Sequence, residues 1–287
     1  MKASSLKFAG VLLVSASAAF CGAGAAVADV VFAPHRAVYE ITLVRSLAGS
    51  GVTDMTGRMV YELTGSACEG YAQNMRFVTR SANSEGVETL NDLRTSSWEE
   101  FAGRRLRFSS SQYQNDALAE ASQGDASRAK GDPSKTIVEL TRPAKKHVQL
   151  TGNVYFPMQH AAALIEAARA GKALLTAKLY DGSEKGDKSY TTTAVIGKKS
   201  DTRAVANTAS LKGAARLGGI PSWPISISYF EDGADKQDSP PSYELSLRYY
   251  ENGVTTDLAI DYGAFAIKGE LKELDMLPTS KCAGGEP

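Results

Sequence analysis

Residues 243–274, YELSLRYYENGVTTDLAIDYGAFAIKGELKEL, decide the class of fold. Apolar and polar side chains alternate through three runs of this segment, which is the pattern of half-buried β-strands. The first turn carries Asn252-Gly253, and both residue types tolerate the positive φ angles of a tight hairpin. A second turn follows at residues 261–264. The segment is therefore predicted to form three antiparallel strands, at residues 243–250, 255–261 and 265–274.

The same alternation recurs through most of the chain before this segment. It predicts further strands at residues 37–43, 59–63, 71–77, 106–108, 137–140, 148–150, 174–180, 190–196 and 225–230. Polar stretches with Gly or Pro, at residues 124–134 and 232–241, are predicted to be loops. A single antiparallel sheet of this size has to curl or close in order to protect its edges. We therefore predict a mainly β fold, a large curved antiparallel sheet that closes into a spiral or barrel-like scaffold.

One segment breaks the alternation. Residues 156–171, FPMQHAAALIEAARAG, are rich in alanine, with Pro157 near the start and Gly171 at the end, a placement typical of a helix. Leu164 and Ala168 share a face that can rest on a sheet. We predict one central helix at residues 157–171, lying over the sheet as a lid or plug, and few other helical turns.

The first 28 residues have the layout of a secretory signal peptide. Lys2 and Lys7 precede an uncharged apolar run, and Ala26-Val27-Ala28 forms an A-x-A cleavage site. Cleavage is predicted after Ala28, so the protein is expected to be exported. Two alternatives are a membrane anchor, for which the apolar run is too short, and a lipoprotein signal at Cys21, where the bulky Phe20 occupies a position that favours Ala or Gly.

Length and composition describe an ordinary globular chain. The 287 residues are 43% hydrophobic, and 32 Lys and Arg balance 32 Asp and Glu. Zero net charge argues against an electrostatic binder of nucleic acid. No later stretch has the length of a transmembrane span. Residues 29–287 are predicted to form a single β-rich domain of the exported protein, whose two halves meet around the helix.

Two cysteines remain after the predicted cleavage, Cys68 and Cys282. In an oxidising compartment two lone thiols usually form one disulfide. The alternative is two buried free thiols. The absence of a Cys-x-x-Cys sequence disfavours a thioredoxin-type redox role.

Candidate chemistry is sparse. The histidines, His35, His147 and His160, show no metal-ligand spacing and are interpreted as structural. Nucleophile-elbow and phosphate-loop motifs are absent. Residues 181–187, DGSEKGD, resemble a calcium loop, but Lys185 opposes a cation at a ligand position, so a solvated turn is favoured. We expect no catalytic residue, metal or cofactor.

A lid or binding surface is the remaining candidate site. Trp223 stands between Pro221 and Pro224, which stiffen the backbone around the ring. It is interpreted either as an exposed recognition platform or, with greater weight, as a core anchor. The residues proposed for the lid or binding surface are Phe156, Met158, His160, Leu164 and Trp223.

Several short sequences, in this order, resemble the EipB family of exported envelope proteins of Gram-negative bacteria. They are His35-Arg36-Ala37-x-Tyr39, Phe156-Pro157-x-x-His160, Leu179-Tyr180-Asp181-Gly182-Ser183-Glu184, Trp223-Pro224-Ile225, Tyr229-Phe230, Asn252-Gly253-Val254 and Asp261-Tyr262-Gly263, together with the two cysteines. The resemblance covers nearly the whole predicted mature chain. Each piece alone is weakly specific, and their order carries the match.

The resemblance implies a monomeric spiral-like or barrel-like β scaffold in the periplasm, stapled by a Cys68–Cys282 disulfide. It implies a role in keeping the envelope intact under stress, and partnership with other periplasmic proteins, including a tetratricopeptide-repeat protein. The family's architecture is similar to that of the lipoprotein carriers LolA and LolB. No catalytic residue is carried over from the family.

Three functions follow for comparison. The first is a non-enzymatic periplasmic protein that maintains envelope integrity by binding an envelope component or a partner protein. The second is a carrier of lipid or lipoprotein acyl chains, which requires an accessible apolar cavity. The third and least favoured is a hydrolase that acts on an envelope polymer, since no acid–base or nucleophile set stands out.

Overall fold

A computed structural model describes residues 30–129, 132–200, 212–232, 240–280 and 282. The predicted signal peptide, residues 1–28, with its cleavage site and Cys21, lies outside the described residues. Among those residues, no helix is both long enough and apolar enough to cross a membrane.

β-Strands make up most of the described chain. The strands are β1 (His35–Ser46), β2 (Asp54–Ser66), β3 (Gly70–Ala82), β4 (Glu88–Glu99), β5 (Arg105–Gln114), β6 (Ala117–Ala129), β7 (Asp132–Arg142), β8 (Lys146–Thr151), β9 (Val154–Tyr155), β10 (Leu174–Leu179), β11 (Tyr190–Ile196), β12 (Ser222–Glu231), β13 (Tyr243–Tyr250), β14 (Thr255–Asp261) and β15 (Phe265–Met276). Within the described ranges there is one α-helix, α1 (Pro157–Arg169), and one 3₁₀ turn (Ala214–Leu217).

All fifteen strands belong to one sheet. Across the sheet the strands follow in descending order from β8 to β1. β15 lies next to β1, and the order then descends from β15 to β9. Every pair is antiparallel except β9 with β10. The first and last strands of the chain, β1 and β15, therefore pair in the middle of the sheet. The two edge strands, β8 and β9, are consecutive in the chain. The sheet is nearly closed and barrel-like, so the predicted fold class is confirmed.

Helix α1 lies across one end of this barrel. Its first turn meets Glu99, the last residue of β4, and Arg169 in its last turn pairs with Glu251 in the β13–β14 turn at 2.8 Å. We call this the helix end. The opposite end is formed by the β1–β2, β3–β4, β5–β6 and β14–β15 hairpin turns, and we call it the loop end.

The helix is buried on two sides, because apolar residues at different positions around it meet different walls. Leu164 and Ala168 pack in the cluster formed by β10, β11 and β12. Met158 and Ile165 pack in a second cluster, which contains Phe32 and side chains of β2 and β3. The helix is therefore a plug between the two halves of the sheet. It ends at Arg169, two residues before the predicted end.

A long loop between β10 and β11 covers the gap between the two edges of the sheet. The Ser122 hydroxyl of β6 donates to the Gly182 carbonyl at 2.5 Å, and the Tyr180 hydroxyl donates to the Gly186 carbonyl at 2.7 Å. Lys146 at the start of β8 pairs with Asp187 at 2.7 Å. Gly182 and Gly186 are buried. Residues 181–187, predicted to be a solvated turn, are therefore in part buried against this gap between the two edges, which we call the seam.

Both predicted turns of the C-terminal segment form, with positive φ at Gly253 and Gly263. The predicted loop at residues 124–134 is wrong. β6 continues to Ala129 and β7 begins at Asp132, because the small and polar residues after 124 still complete ladders with β5 and β7. Residues 233–239 of the other predicted loop lie outside the described residues.

A disulfide joins Cys68 to Cys282, as the number of cysteines predicts, with the two Cα atoms 5.8 Å apart. Cys68 lies in the turn between β2 and β3, and Cys282 follows β15 by a few residues. The bond ties the C-terminal tail to the helix end of the barrel, 214 positions away in sequence.

Candidate functional site

The first turn of α1 is capped by a carboxylate from another part of the sheet. Glu99 accepts hydrogen bonds from the backbone N–H groups of Met158 at 2.7 Å and Gln159 at 3.0 Å. Its side chain is buried. Burial raises the pKa of Glu99 to about 7, although the two N–H donors and nearby Arg128 act in the opposite direction. The helix N-terminus is therefore held by a carboxylate that titrates near neutral pH.

Arg128 of β6 completes the polar network around this cap. Its guanidinium donates to Gln159 Oε1 at 2.9 Å, to Thr136 Oγ1 at 3.2 Å and to the Gly103 and Val154 carbonyls. It also lies 4.9 Å from the centre of the Phe156 ring. Each member of the network has a partner, so this network fixes the plug to the strand wall.

The two buried histidines are also committed to hydrogen bonds. The Thr192 hydroxyl donates to the Ala177 carbonyl at 3.0 Å, so it accepts from His160 Nε2, which is also 3.0 Å away. Burial lowers the pKa of His160 to about 4. His35 Nδ1 donates to the Ala33 carbonyl at 2.8 Å, and burial lowers its pKa as well. Both rings are neutral hydrogen-bonding groups at neutral pH.

The predicted lid or binding surface does not form an exposed surface. All five of its side chains lie in the interior: Phe156, Met158, His160, Leu164 and Trp223. Those of α1 are buried because strands cover both sides of the helix. Trp223 packs with the β10–β12 cluster, which is the core-anchor interpretation. Whether the helix moves as a lid stays a prediction.

A cleft of about 230 Å³ opens beside α1. Its lining combines one flank of the helix with the segment before β1 and the β4–β5 turn: Val30, Phe32, Phe101, Tyr155, Met158, Gln159, Ala162, Ala163 and Glu166. Sequence reasoning missed this cleft, since its walls come from three separate parts of the chain. The cleft has a mixed polar and apolar lining, in which Gln159 and Glu166 contribute polar side chains.

The inward face of the sheet carries phenol groups among apolar side chains. The Tyr39 hydroxyl donates to the Thr255 carbonyl at 2.8 Å, and the Tyr61 hydroxyl donates to Gln73 Oε1 at 3.1 Å. Burial raises the pKa of Tyr39 to about 12 and also raises the pKa values of Tyr61 and Tyr249. These phenols are neutral and supply hydrogen-bonding groups inside an apolar wall.

Toward the loop end the inward face is covered less completely. Apolar residues that adjoin the core there are only partly buried: Leu43, Met59, Phe77, Ile260 and Phe265. A string of aromatic rings crosses the C-terminal half at the same end. Tyr229 stacks on Tyr243 with ring centres 4.3 Å apart, and Tyr262 stacks on Phe265 at 4.9 Å. This end presents apolar and aromatic surface on the concave side of the sheet.

Within the described ranges, no group of three or more His, Cys, Asp or Glu side chains is placed to hold a metal ion. The buried titratable groups Glu99 and His160 serve the attachment of α1. The fold and its interior define a barrel-like scaffold protein with a plugged end and an apolar concave face.

The chain belongs to the EipB-like family, whose model matches residues 26–278. It is 39% identical, over 264 residues, to the cell envelope integrity protein EipB of Brucella abortus strain 2308, covering 92% of this chain and 91% of that protein. A crystal structure titled as a beta-barrel-like protein of a domain of unknown function, also from Brucella abortus, is 36% identical. It superposes with a TM-score of 0.78 over 87% of this chain and all of that one.

Proposed function

We propose that this protein is a non-enzymatic, monomeric periplasmic protein that maintains the integrity of the cell envelope by binding an envelope component or a partner protein. The observation that carries the proposal is the 39% identity to a cell envelope integrity protein over nearly the whole length of both chains. A similarity that extends over 92% of this chain and 91% of the relative supports a shared task.

Two features of the molecule are consistent with this proposal. The Cys68–Cys282 disulfide belongs in an oxidising compartment, in agreement with the predicted signal peptide. The buried Glu99 and the Arg128 guanidinium hydrogen-bond to the first turn of the helix, which suits a binding scaffold. A tetratricopeptide-repeat protein of the same compartment is the partner that the family resemblance favours.

The test is a deletion strain of the source bacterium, complemented with the wild-type gene. We expect the deletion to increase sensitivity to detergents and to envelope-directed antibiotics, and complementation to restore resistance. A strain with unchanged resistance would contradict the proposal. Affinity purification from the periplasm, followed by mass spectrometry of proteins and lipids, identifies the bound component, and an untagged strain is the control.

A second candidate is a carrier of lipid or lipoprotein acyl chains. The observation that favours it is the partly buried apolar and aromatic surface on the concave side at the loop end, since an acyl chain requires an apolar cavity. Lipid mass spectrometry of the purified protein tests this function. Stoichiometric co-purifying acyl chains would support it, and protein that extracts no lipid from membranes would rule it out.

A further inference from the structure

The two halves of the sequence use different basic residues. Between residues 30 and 129 every Lys or Arg position is arginine: Arg36, Arg45, Arg58, Arg76, Arg80, Arg94, Arg104, Arg105, Arg107 and Arg128. Lysine reappears at position 130 and is the commoner of the two from there on. The planar guanidinium forms paired hydrogen bonds with phosphate and carboxylate groups, whereas lysine offers a point charge. The bias therefore indicates that the N-terminal half of the sheet uses guanidinium groups in particular, and not positive charge alone.

Two of these arginines are direct neighbours on the outer face. Arg76 of β3 pairs in register with Arg94 of β4, and their side chains are 59% and 53% exposed. Like charges placed directly opposite each other destabilise a sheet. Asp92 accepts from both, with Nη2–Oδ2 distances of 2.8 Å and 2.6 Å. One carboxylate serves two guanidinium groups, so one positive charge remains uncompensated within this trio.

A second pair of arginines, on β5, also shares one carboxylate. Arg105 and Arg107 of β5 both contact Asp125 Oδ1 of β6, at 2.7 Å and 3.3 Å. Both guanidinium groups are about half exposed. We refer to these six side chains as the arginine face: Arg76, Arg94, Arg105, Arg107, Asp92 and Asp125. Four cations and two anions give it a net positive charge on a chain whose overall formal charge is zero.

Aromatic rings beneath the arginine face orient two of its cations. The Arg94 guanidinium lies 4.9 Å from the centre of the Tyr113 ring, and that of Arg107 lies 5.7 Å from the Trp98 ring. The Trp98 indole is itself fixed by a hydrogen bond to the Glu69 carbonyl at 3.2 Å. Because the stacked guanidinium groups are pre-organised, a bound oxyanion costs less side-chain entropy.

Exposed aliphatic side chains flank the arginine face at the loop end. Val87 at the β3–β4 tip is 56% exposed and Leu118 at the β5–β6 tip is 54% exposed. Leu118 is the register partner of Tyr113, over which Arg94 is stacked. A basic face next to apolar tips is the combination by which peripheral proteins lie on anionic bilayers, with the cations at the phosphates and the aliphatic groups in the interface.

We propose that the arginine face docks on the phosphate groups of an anionic phospholipid bilayer, with Val87 and Leu118 entering the interfacial layer. The occupant follows from charge complementarity and from the breadth of the face, because three adjacent strands present guanidinium pairs that match several phosphates lying side by side. The inference deepens the proposed envelope function and rests on it.

Co-sedimentation of purified protein with vesicles tests the proposal. Vesicles of phosphatidylcholine with about 30% phosphatidylglycerol are compared with phosphatidylcholine alone, at low and high salt. We expect binding to the anionic vesicles only, and its loss at high salt. The double variant Arg94→Gln, Arg107→Gln should bind at least about tenfold more weakly. It leaves Asp92 with Arg76 and Asp125 with Arg105, so neither carboxylate loses its last partner.

The control is Lys268→Gln, Lys272→Gln, which removes the same charge from β15 in the C-terminal half. We expect its affinity for the anionic vesicles to stay within about twofold of wild type, as a distant surface charge change should. Thermal melts of both variants establish that they are folded. The proposal is overturned by equal binding to neutral and anionic vesicles, by equal losses in the two variants, or by binding to a soluble acidic polysaccharide without binding to vesicles.

The vesicle assay and the proposed function can fail separately. A deletion strain without an envelope defect contradicts the proposed function whatever the vesicles show. If instead the strain has the defect and wild-type protein binds no vesicles, the envelope role stands and the arginine face is not a bilayer-docking surface.

Discussion

At the scale of single residues, Glu99 holds the first turn of α1 in place. Its carboxylate reaches from β4 to the first turn of a helix nearly sixty positions later and satisfies two N–H groups that have no partner within the helix. Sequence reasoning could not identify it, because Glu99 and Glu100 look alike in a strand-to-turn segment and only one points inward. Its partners are far away in sequence.

We expect Glu99 to make stability depend on pH. The pKa is raised in the folded protein from 4.5 to about 7, so the folded state binds the proton more tightly than the unfolded chain. The stability from this group is present below pH 4.5 and is lost as the pH rises through about 7. The loss is on the order of 2–3 kcal/mol.

Urea unfolding of the wild type and of Glu99→Gln at pH 4.5 and pH 8 measures this effect. The difference in free energy of unfolding between the two proteins should move in favour of the glutamine variant as the pH rises. A difference that is the same at both pH values would show that Glu99 does not titrate in this range. Glu100→Gln, a change at the half-buried neighbour that pairs with Arg104, is the control.

His160 should act in the opposite pH window. Its pKa is lowered in the folded protein from 6.5 to about 4. The stability that it confers as a neutral ring is present above pH 6.5 and is lost as the pH falls through about 4. Melting temperatures between pH 7 and pH 4 should therefore fall less for His160→Gln than for wild type. Parallel pH profiles would refute the assignment, and His147→Gln, at an exposed site, is the control.

At the scale of elements, the β10–β11 loop covers the gap between the two edges of the sheet through its contacts with β6 and β8. Gly182 has a φ of +73°, and a Cβ at this position would run into the Phe108 ring. Gly263 has a similar φ of +79° in the β14–β15 turn, with open space around it. The two glycines share the same backbone requirement and differ in packing.

We expect Gly182→Ala to lower the free energy of unfolding by more than Gly263→Ala. Both pay for the left-handed backbone, about 1 kcal/mol, and the first adds overpacking of the seam, about 1–3 kcal/mol. Thermal or urea melts of the two variants measure the difference. Equal destabilisation would mean that the seam tolerates an added methyl group and does not seal the barrel tightly.

The elements also show where pattern reading works. Alternation and turn residues locate β13, β14 and β15 to within two residues, because each of these strands has an apolar inward face and a turn signal at its end. They fail for β6 and the start of β7, where Ser, Gly, Asp and Ala replace the usual strand residues. There the ladders with neighbouring strands override the local propensity.

At the scale of the whole molecule, the disulfide fastens the C-terminal tail onto the turn between β2 and β3. A link across 214 positions restricts the unfolded chain strongly, with a contribution of up to roughly 5 kcal/mol in the chain-entropy account. We expect Cys68→Ser to fold and to melt at a lower temperature than wild type. Reductant should lower the melting temperature of the wild type and leave that of the variant unchanged. Identical melts with and without reductant would refute a stabilising role.

The amino-acid sequence by itself determined the β class, the helix that begins at Pro157, the hairpin turns and the disulfide. Each of these depends on periodicity, turn chemistry or the number of cysteines, none of which requires knowing which strands are neighbours. The tertiary structure alone decided that the helix is a buried plug, that Glu99 and Arg128 hold it, and that the arginines of three strands form one face. Those features depend on which strands become neighbours, and the register that pairs them is set by packing across the whole sheet.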